Sequence, residues 1–258
     1  METALITGAS TGIGKELARI FAQKGINLVL VARSQEKLQG LKSELEKDFG
    51  INAHAIPIDL SVPQSALRVF EETNSRNLQI DYLINNAGVG VYGEFYATDW
   101  EKELTMINLN ITSLTQLTKL FLEGMKQRGT GRIMNVASVA AFQPGPLMSV
   151  YFATKAYVLH FSEAIGYELR KSRITVTTLC PGPTRSGFEN AASMKASKLF
   201  KQKGIPSSAE VARFGYNAMM KGKSVAIHGW KNSLLARSTG FVPRKLVLAI
   251  AEKIQGRE

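Results

Sequence analysis

The sequence has one cysteine in 258 residues, Cys180, so no internal disulfide can form. That excludes a disulfide-stapled secreted scaffold and leads us to expect a reducing, cytoplasmic compartment. No apolar run comes near the ~18 residues that a bilayer-crossing helix needs. Residues 1–7, with Glu2 among them, hold too short an apolar stretch for a signal peptide. Repeats, low-complexity tracts and Pro- or Gly-rich linkers are missing as well, which leaves a single domain over residues 1–258. The three histidines, His54, His160 and His228, are scattered without ligand spacing, so no metal is expected. Acidic residues are scarce at one end only. Residues 195–258 hold thirteen basic side chains against three acidic ones, a net +10 of the chain's +11.

What is there reads as an ordinary globular chain, 45% hydrophobic and 21% charged. Short β-branched or apolar runs at 3–7, 27–32, 53–59, 80–85, 132–138, 174–180 and 224–228 read as strands. Between them, apolar residues recur at helical spacing, as in Ile13, Leu17, Ile20 and Phe21, which predicts helices over 12–24, 35–49, 63–76, 99–123 and 150–170. Strands alternating with helices imply a parallel sheet covered on both faces, an α/β fold. Residues 186–205 fit neither element, with several lysines and Gly or Pro at the edges, and read as a mobile lid beside a ligand site.

The first predicted strand runs into Thr7-Gly8-Ala9-Ser10-Thr11-Gly12-Ile13-Gly14. Glycines let the backbone turn tightly and approach a pyrophosphate, and the helix that follows offers free N–H groups to it. The spacing is G-x-x-x-G-x-G rather than G-x-G-x-x-G, yet its place at the opening of a βαβ unit points to dinucleotide binding by Gly8, Ser10, Thr11, Gly12, Ile13 and Gly14. The second strand ends in Arg33 where a carboxylate would select NAD; an arginine suits a 2′-phosphate, and Lys15 adds charge nearby, so NADP(H) is the expected cofactor. Asp59, at the end of the third strand, could meet the adenine amino group or cap the next helix.

Asn85-Asn86-Ala87-Gly88 follows the fourth strand, and Tyr151-Phe152-Ala153-Thr154-Lys155 opens a late helix. Together with the Gly-rich turn, in this order and spacing, they make the chain resemble the short-chain dehydrogenase/reductase family from residue 3 to about 184. The resemblance implies a doubly wound Rossmann fold with seven parallel strands. It also implies that Asn86, Ala87 and Gly88 lie under the cofactor, and that Pro181, Gly182 and Thr184 contact the nicotinamide. A homodimer or homotetramer through the long helices over 99–123 and 150–170 is implied too.

Tyr151 and Lys155, four apart, share one helical face. Hydride transfer to a carbonyl leaves an alkoxide that needs a proton. A free phenol, with pKa near ~10, exchanges protons poorly at neutral pH; a nearby ammonium is expected to lower it. The family resemblance adds a bond from Lys155 to a ribose hydroxyl. Ser138, at a strand end 13 residues before Tyr151, can hold the substrate oxygen. The resemblance also supplies an asparagine that holds a relay water. Asn110 fits it by position better than Asn108, which reads as a helix-surface amide. Cys180, beside Pro181 in a strand, reads as an inert core thiol.

An apolar substrate wall is expected from 140–149, 89–95 and the lid, with Tyr92, Phe142, Pro144, Met148 and Phe188 at its centre, and Pro146, Leu147 and Met194 beside them. It suits a hydrophobic carbonyl compound: a 3-oxoacyl thioester, a steroid-like ring or an aryl ketone. A nucleotide-binding regulator without turnover is the competing class. Nucleic acid is not an expected partner, because the lysine-rich segments lack interleaved aromatics. The basic tail over 242–258, with an apolar helical stretch at 242–254, leaves three readings open. These are attachment to an anionic membrane surface, docking of an acidic carrier, and an amphipathic helix that completes the core.

Overall fold

The structure, a computed structural model, describes residues 1–188, 204–240 and 242–256. Seven strands form one sheet in the order β3-β2-β1-β4-β5-β6-β7. They are β1 (Thr3–Thr7), β2 (Asn27–Ala32), β3 (Ala53–Pro57), β4 (Tyr82–Asn85), β5 (Thr130–Val136), β6 (Arg173–Cys180) and β7 (Val225–Ile227). Every pairing is parallel, with Leu5 beside Val29 and Leu83 and Ile133 beside Val176. This is the doubly wound α/β fold. The order reverses between β1 and β4, and a crevice opens there at the carboxyl ends of the strands.

One face is covered by α1 (Gly12–Gln23), α2 (Gln35–Phe49) and α7 (Ser208–Met220). Phe21 anchors that layer: it is fully buried, with its ring centroid 5.2 Å from that of Tyr82 and 5.1 Å from that of Tyr216. Truncating such a ring to Ala costs about 3–5 kcal/mol. The other face carries α3 (Ser65–Ser75), α5 (Leu114–Arg128) and α6 (Ser149–Glu168), with Phe121, Met125 and Leu117 packed on Leu5, Leu83 and Ile133. Two further helices, α8 (Trp230–Ser238) and α9 (Arg244–Gln255), follow β7.

The helix expected over 99–123 is not continuous. α4 (Trp100–Ile107) runs into a six-residue π-helical stretch, Asn108–Ser113, before α5 resumes. Such bulges frequently mark functional sites; here it places Asn110 inward, 1% exposed. The strand expected over 53–59 stops at Pro57, and Ile58 and Asp59 begin the loop.

Candidate active site

The crevice is a cleft of about 710 Å³, and loops from the ends of β1, β2, β3, β4, β5 and β6 all reach it. At its cofactor end, β1 turns at Gly8 (φ +66°) and α1 starts at Gly12 (φ +58°). A Cβ on Gly8 would stand 2.8 Å from Asn86 Nδ2, and one on Gly14 would stand 2.5 Å from the same atom. The first turn of α1 holds no acid, the Thr11 side chain does not cap it, and Thr11, Gly12 and Ile13 line the cleft. That cradle suits a pyrophosphate.

Asn86 fastens the cradle. Its amide donates to Thr7 O at 2.9 Å, while Asn86 N and Ala87 N both donate to Thr7 Oγ1 at 3.0 Å. Asn85, one residue back, donates to Asn135 Oδ1 and Thr118 Oγ1, and Asn135 donates to Ser162 Oγ, so β4, β5, α5 and α6 are locked together below the cleft.

Arg33 stands at the cleft's rim, largely exposed, with Nη1 3.9 Å from Asp59 Oδ2. Asp59 accepts from Ser61 N and Ser61 Oγ, a local turn; it does not cap α3, whose N-cap is Gln64. Lys37 and Ser34, the N-cap of α2, line the same rim. Neither was an expected site residue, although both follow Arg33 closely in sequence. A guanidinium, an ammonium and a hydroxyl on one rim suit an extra phosphate.

The chemical end lies beneath. Ser138 leaves β5 and accepts from Ala140 N at 3.1 Å. Its hydroxyl meets Tyr151, which is 9% exposed. Lys155 Nζ donates to Val136 O at 2.9 Å and sits 5.8 Å from the Tyr151 ring centroid. Gly88 passes close by: a Cβ there would be 3.3 Å from Lys155 Nζ. Burial pushes the Tyr151 phenol up to about 12, against a lowering contribution from Ser138. Burial brings Lys155 down to about 8. The shift expected from Lys155 is therefore not what this cleft shows: desolvation sets the direction, and the opposing pull comes from Ser138. Cys180 is fully buried, and burial raises its thiol to about 12.

Asn110 lies behind the cleft. Its amide nitrogen donates to Val89 O at 2.9 Å and Thr154 Oγ1 at 3.1 Å, and its oxygen accepts from Val89 N at 3.1 Å. The side chain thus holds the β4 loop and α6 in place.

Met148 and Phe188 reach the cleft wall as expected, and the Phe188 ring lies 5.4 Å from that of Tyr151. Pro181, Gly182 and Thr184 line it from the end of β6. Tyr92, Phe142 and Pro144 do not. Tyr92 turns its hydroxyl to Gln255 O at 2.7 Å, and Phe142 packs beside Ala137, Val158 and Cys180, because the short 3-10 turn after Ser138 directs it into the core. Of the expected lid, 189–203, including Met194, lies outside the described residues. Its two ends meet, with Arg185 N donating to Pro206 O at 3.0 Å.

The far end of the cleft is closed by α8 and α9 through Asn232, Leu235, Ala251, Ile254 and Gln255. None of these was an expected site residue. α9 itself falls almost wholly within the apolar helical stretch expected at 242–254, and the i, i+4 series Val247, Ala251 and Gln255 is its buried stripe.

The family model for short chain dehydrogenase matches residues 2–196. Very-long-chain 3-oxoacyl-CoA reductase of Rattus norvegicus is 34% identical over 184 residues, which cover 70% of this chain and 58% of that protein. The very-long-chain 3-oxoacyl-CoA reductase-A of Danio rerio is 34% identical over 242 residues, 90% of this chain and 73% of that one. Among solved structures, a short-chain dehydrogenase from Sphingobium yanoikuyae in complex with NADPH aligns with a TM-score of 0.82 at 32% identity, over 93% of this chain and 95% of that one. The bulky-bulky ketone specific alcohol dehydrogenase from Comamonas testosteroni aligns at 0.79 and 30%, over 93% of each. With a Gly-rich cradle facing a buried Ser138, Tyr151 and Lys155 across one cleft, and these likenesses along most of its length, the chain belongs to the short-chain dehydrogenase family of oxidoreductases.

Proposed function

We propose that the chain is an NADP(H)-dependent oxidoreductase acting on hydrophobic carbonyl compounds or secondary alcohols, with Tyr151 as its proton donor and acceptor. One observation carries the reading: Ser138, Tyr151 and Lys155 line the same cleft as the glycine cradle and Arg33. When bound, the cofactor supplies or accepts the hydride. The cradle residues Ser10 to Gly14 hold its pyrophosphate, Arg33 and Lys37 its 2′-phosphate, and Asn86, Ala87 and Gly88 its underside.

The remaining chemistry belongs to the side chains. Ser138 Oγ orients the substrate oxygen beside Tyr151. As the carbonyl becomes an alkoxide, the Tyr151 O–H bond breaks and its proton moves to that oxygen. A phenol held near 12 is fully protonated at neutral pH, which fits a donor in the reducing direction. Lys155 places a positive charge where the phenolate forms and bonds the ribose. Asn110 acts as a positioning residue, through Val89 and Thr154.

Val89, Met148, Phe152, Phe188, Leu235 and Ile254 give the cleft an apolar interior. Large apolar carbonyls fit it, both the 3-oxoacyl thioesters in the names of the mammalian and fish relatives and the bulky ketones in the Comamonas title. The exposed Tyr157, its ring stacked on Phe161 in α6, supports self-association through the long helices. The lone buried Cys180 supports a cytoplasmic setting. Among the described residues no helix is long and apolar enough to cross a membrane.

The test is NADPH consumption over a panel of ketones, aldehydes, 3-oxoacyl thioesters and steroids, repeated with Tyr151→Phe. Turnover should fall at least ~100-fold, the low end for losing a general acid, while NADPH binding stays within about twofold. A variant as active as the parent removes Tyr151 from the chemistry. NADPH binding with no turnover on any carbonyl supports a regulator instead.

A further inference from the structure

Fifteen large apolar side chains are exposed among the described residues, and seven of them lie on α8 and α9. α8 buries one residue, Ala236, yet displays Trp230, Leu234 and Leu235, the first of them 73% exposed. α9 buries the stripe Val247, Ala251 and Gln255. Beside it runs a second stripe at the same spacing, Leu246, Ile250 and Ile254, with Leu248 on the far flank, and all four are exposed. A helix with two apolar stripes and one partner has a face left over. Patches of this kind on an otherwise polar surface mark a site of association.

Three features say what covers it. From 230 to 255 the chain carries Lys231, Arg237, Arg244, Lys245 and Lys253 against a single acid, Glu252. Trp230 stands at the head of α8 with Lys231 Nζ 5.7 Å from its ring centroid, a pairing suited to the headgroup level of a bilayer. A second copy is disfavoured: a two-fold contact would set these basic side chains against themselves. The third feature is the cleft. Leu235 and Ile254 are at once exposed and part of its lining, so the apolar face forms the outer rim of the substrate end.

We propose that α8 and α9 seat this chain on an anionic phospholipid surface, with the cleft mouth at Leu235 and Ile254 turned toward the acyl region. The apolar stripes enter the boundary of headgroups and acyl chains, and the flanking lysines and arginines meet the anionic headgroups. A hydrophobic substrate dissolved in the bilayer then reaches the cleft without crossing water. This last consequence rests on the functional reading above; the seating on the surface does not.

The full chain is sedimented with vesicles of phosphatidylcholine alone and with added phosphatidylglycerol. Most of it should pellet with the anionic vesicles, little with the neutral ones, and less as salt rises. The variant Leu234→Glu/Leu246→Glu/Ile250→Glu touches no cleft-lining residue. It should keep its melting temperature and NADPH affinity and lose at least tenfold in vesicle partitioning. Arg244→Gln/Lys245→Gln, which leaves the apolar stripes intact, should lose severalfold on anionic vesicles only. For a ketone carried in vesicles, kcat/KM should fall about tenfold in the triple variant, while a water-soluble ketone is turned over as before.

Negligible pelleting on both vesicles overturns the proposal, as does a triple variant that pellets like the parent. So does a parent oligomer that the triple variant dissociates, since a second copy then covers the face. Capture by an immobilised acidic carrier protein with no vesicle binding also overturns it. Vesicle binding without turnover on any carbonyl leaves the surface proposal standing and defeats the functional reading.

Discussion

Burial acts on Tyr151 and Lys155 in opposite senses, because it penalises whichever form is charged: the phenol is held up at about 12 and the ammonium down at about 8. The pair and Ser138 are legible in the sequence through their resemblance to the family's order and spacing, since a Tyr and a Lys four apart on a helix are a common local pattern by themselves. The sign of the Tyr151 shift is not, since spacing carries no information on desolvation. A pH dependence follows. Below about pH 8 Lys155 is charged and Tyr151 is protonated, the state a reduction needs. As pH rises through about 8 Lys155 loses its charge, long before Tyr151 ionises. The kcat/KM for NADPH, which reports the free enzyme, should therefore decline above pH ~8. Lys155→Arg should carry that decline to higher pH, since a guanidinium stays charged. A flat profile from pH 7 to 10 in the parent shows that loss of the Lys155 charge does not limit the reaction in that range.

Arg33 is the residue whose meaning depends on a group it would bind. It is largely exposed and tied only loosely, 3.9 Å from Asp59, so it costs little to reorient toward a phosphate. Arg33→Asp should shift the NADPH-to-NADH preference by about 10- to 100-fold, the scale of one charge-assisted bond at ~1.5–3 kcal/mol. Steady-state kinetics with both cofactors measure the ratio, and an unchanged ratio moves the discrimination to Lys37 and Ser34.

At the scale of elements, the β1–turn–α1 unit and the parallel sheet follow from short-range signals (apolar runs, glycines at a strand end, periodicity of 3.6), and the N-N-A-G loop from the family resemblance. The break between α4 and α5 does not. Asn108–Ser113 carries no proline or glycine to mark a break, so the sequence reads straight through it as helix. What the break achieves is visible only in three dimensions, where Asn110 bonds Val89 twice and Thr154 once. Asn110→Ala removes all three bonds at ~1 kcal/mol each. At ~2–4 °C per kcal/mol for a chain of this size, the melting temperature should drop by roughly 6–12 °C. Turnover should fall with it, since Val89 borders the cleft and Thr154 adjoins Lys155, while NADPH affinity stays within a few-fold. A melting temperature unchanged in calorimetry would show that the π stretch is held by its backbone alone.

Across the whole molecule, the first 188 residues build the cofactor end and the chemical groups, and the chain's last quarter returns to close the cleft. That return is why the substrate wall is the least legible part of the site. Leu235 and Ile254 come to line the same cleft as Met148 from about ninety or more residues further along the chain, and no local pattern announces it. The +10 of residues 195–258 belongs to the same quarter, apart from the chemistry. Besides the β6–β7 pairing, a bond spanning 163 residues ties α9 to the loop after β4: Tyr92 Oη donates to Gln255 O at 2.7 Å. It pins the end of α9, and with it Ala251 and Ile254, over the substrate end, while the glycine cradle lies on the opposite side of the cleft. Tyr92→Phe keeps the ring and deletes the donor. A single neutral bond at ~1 kcal/mol corresponds to about fivefold in an equilibrium constant. The KM for a hydrophobic ketone should therefore rise about fivefold, with the Kd for NADPH unchanged. If both constants rise together, α9 supports the entire cleft; if neither moves, the buried stripe Val247, Ala251 and Gln255 seats the helix without help from Tyr92.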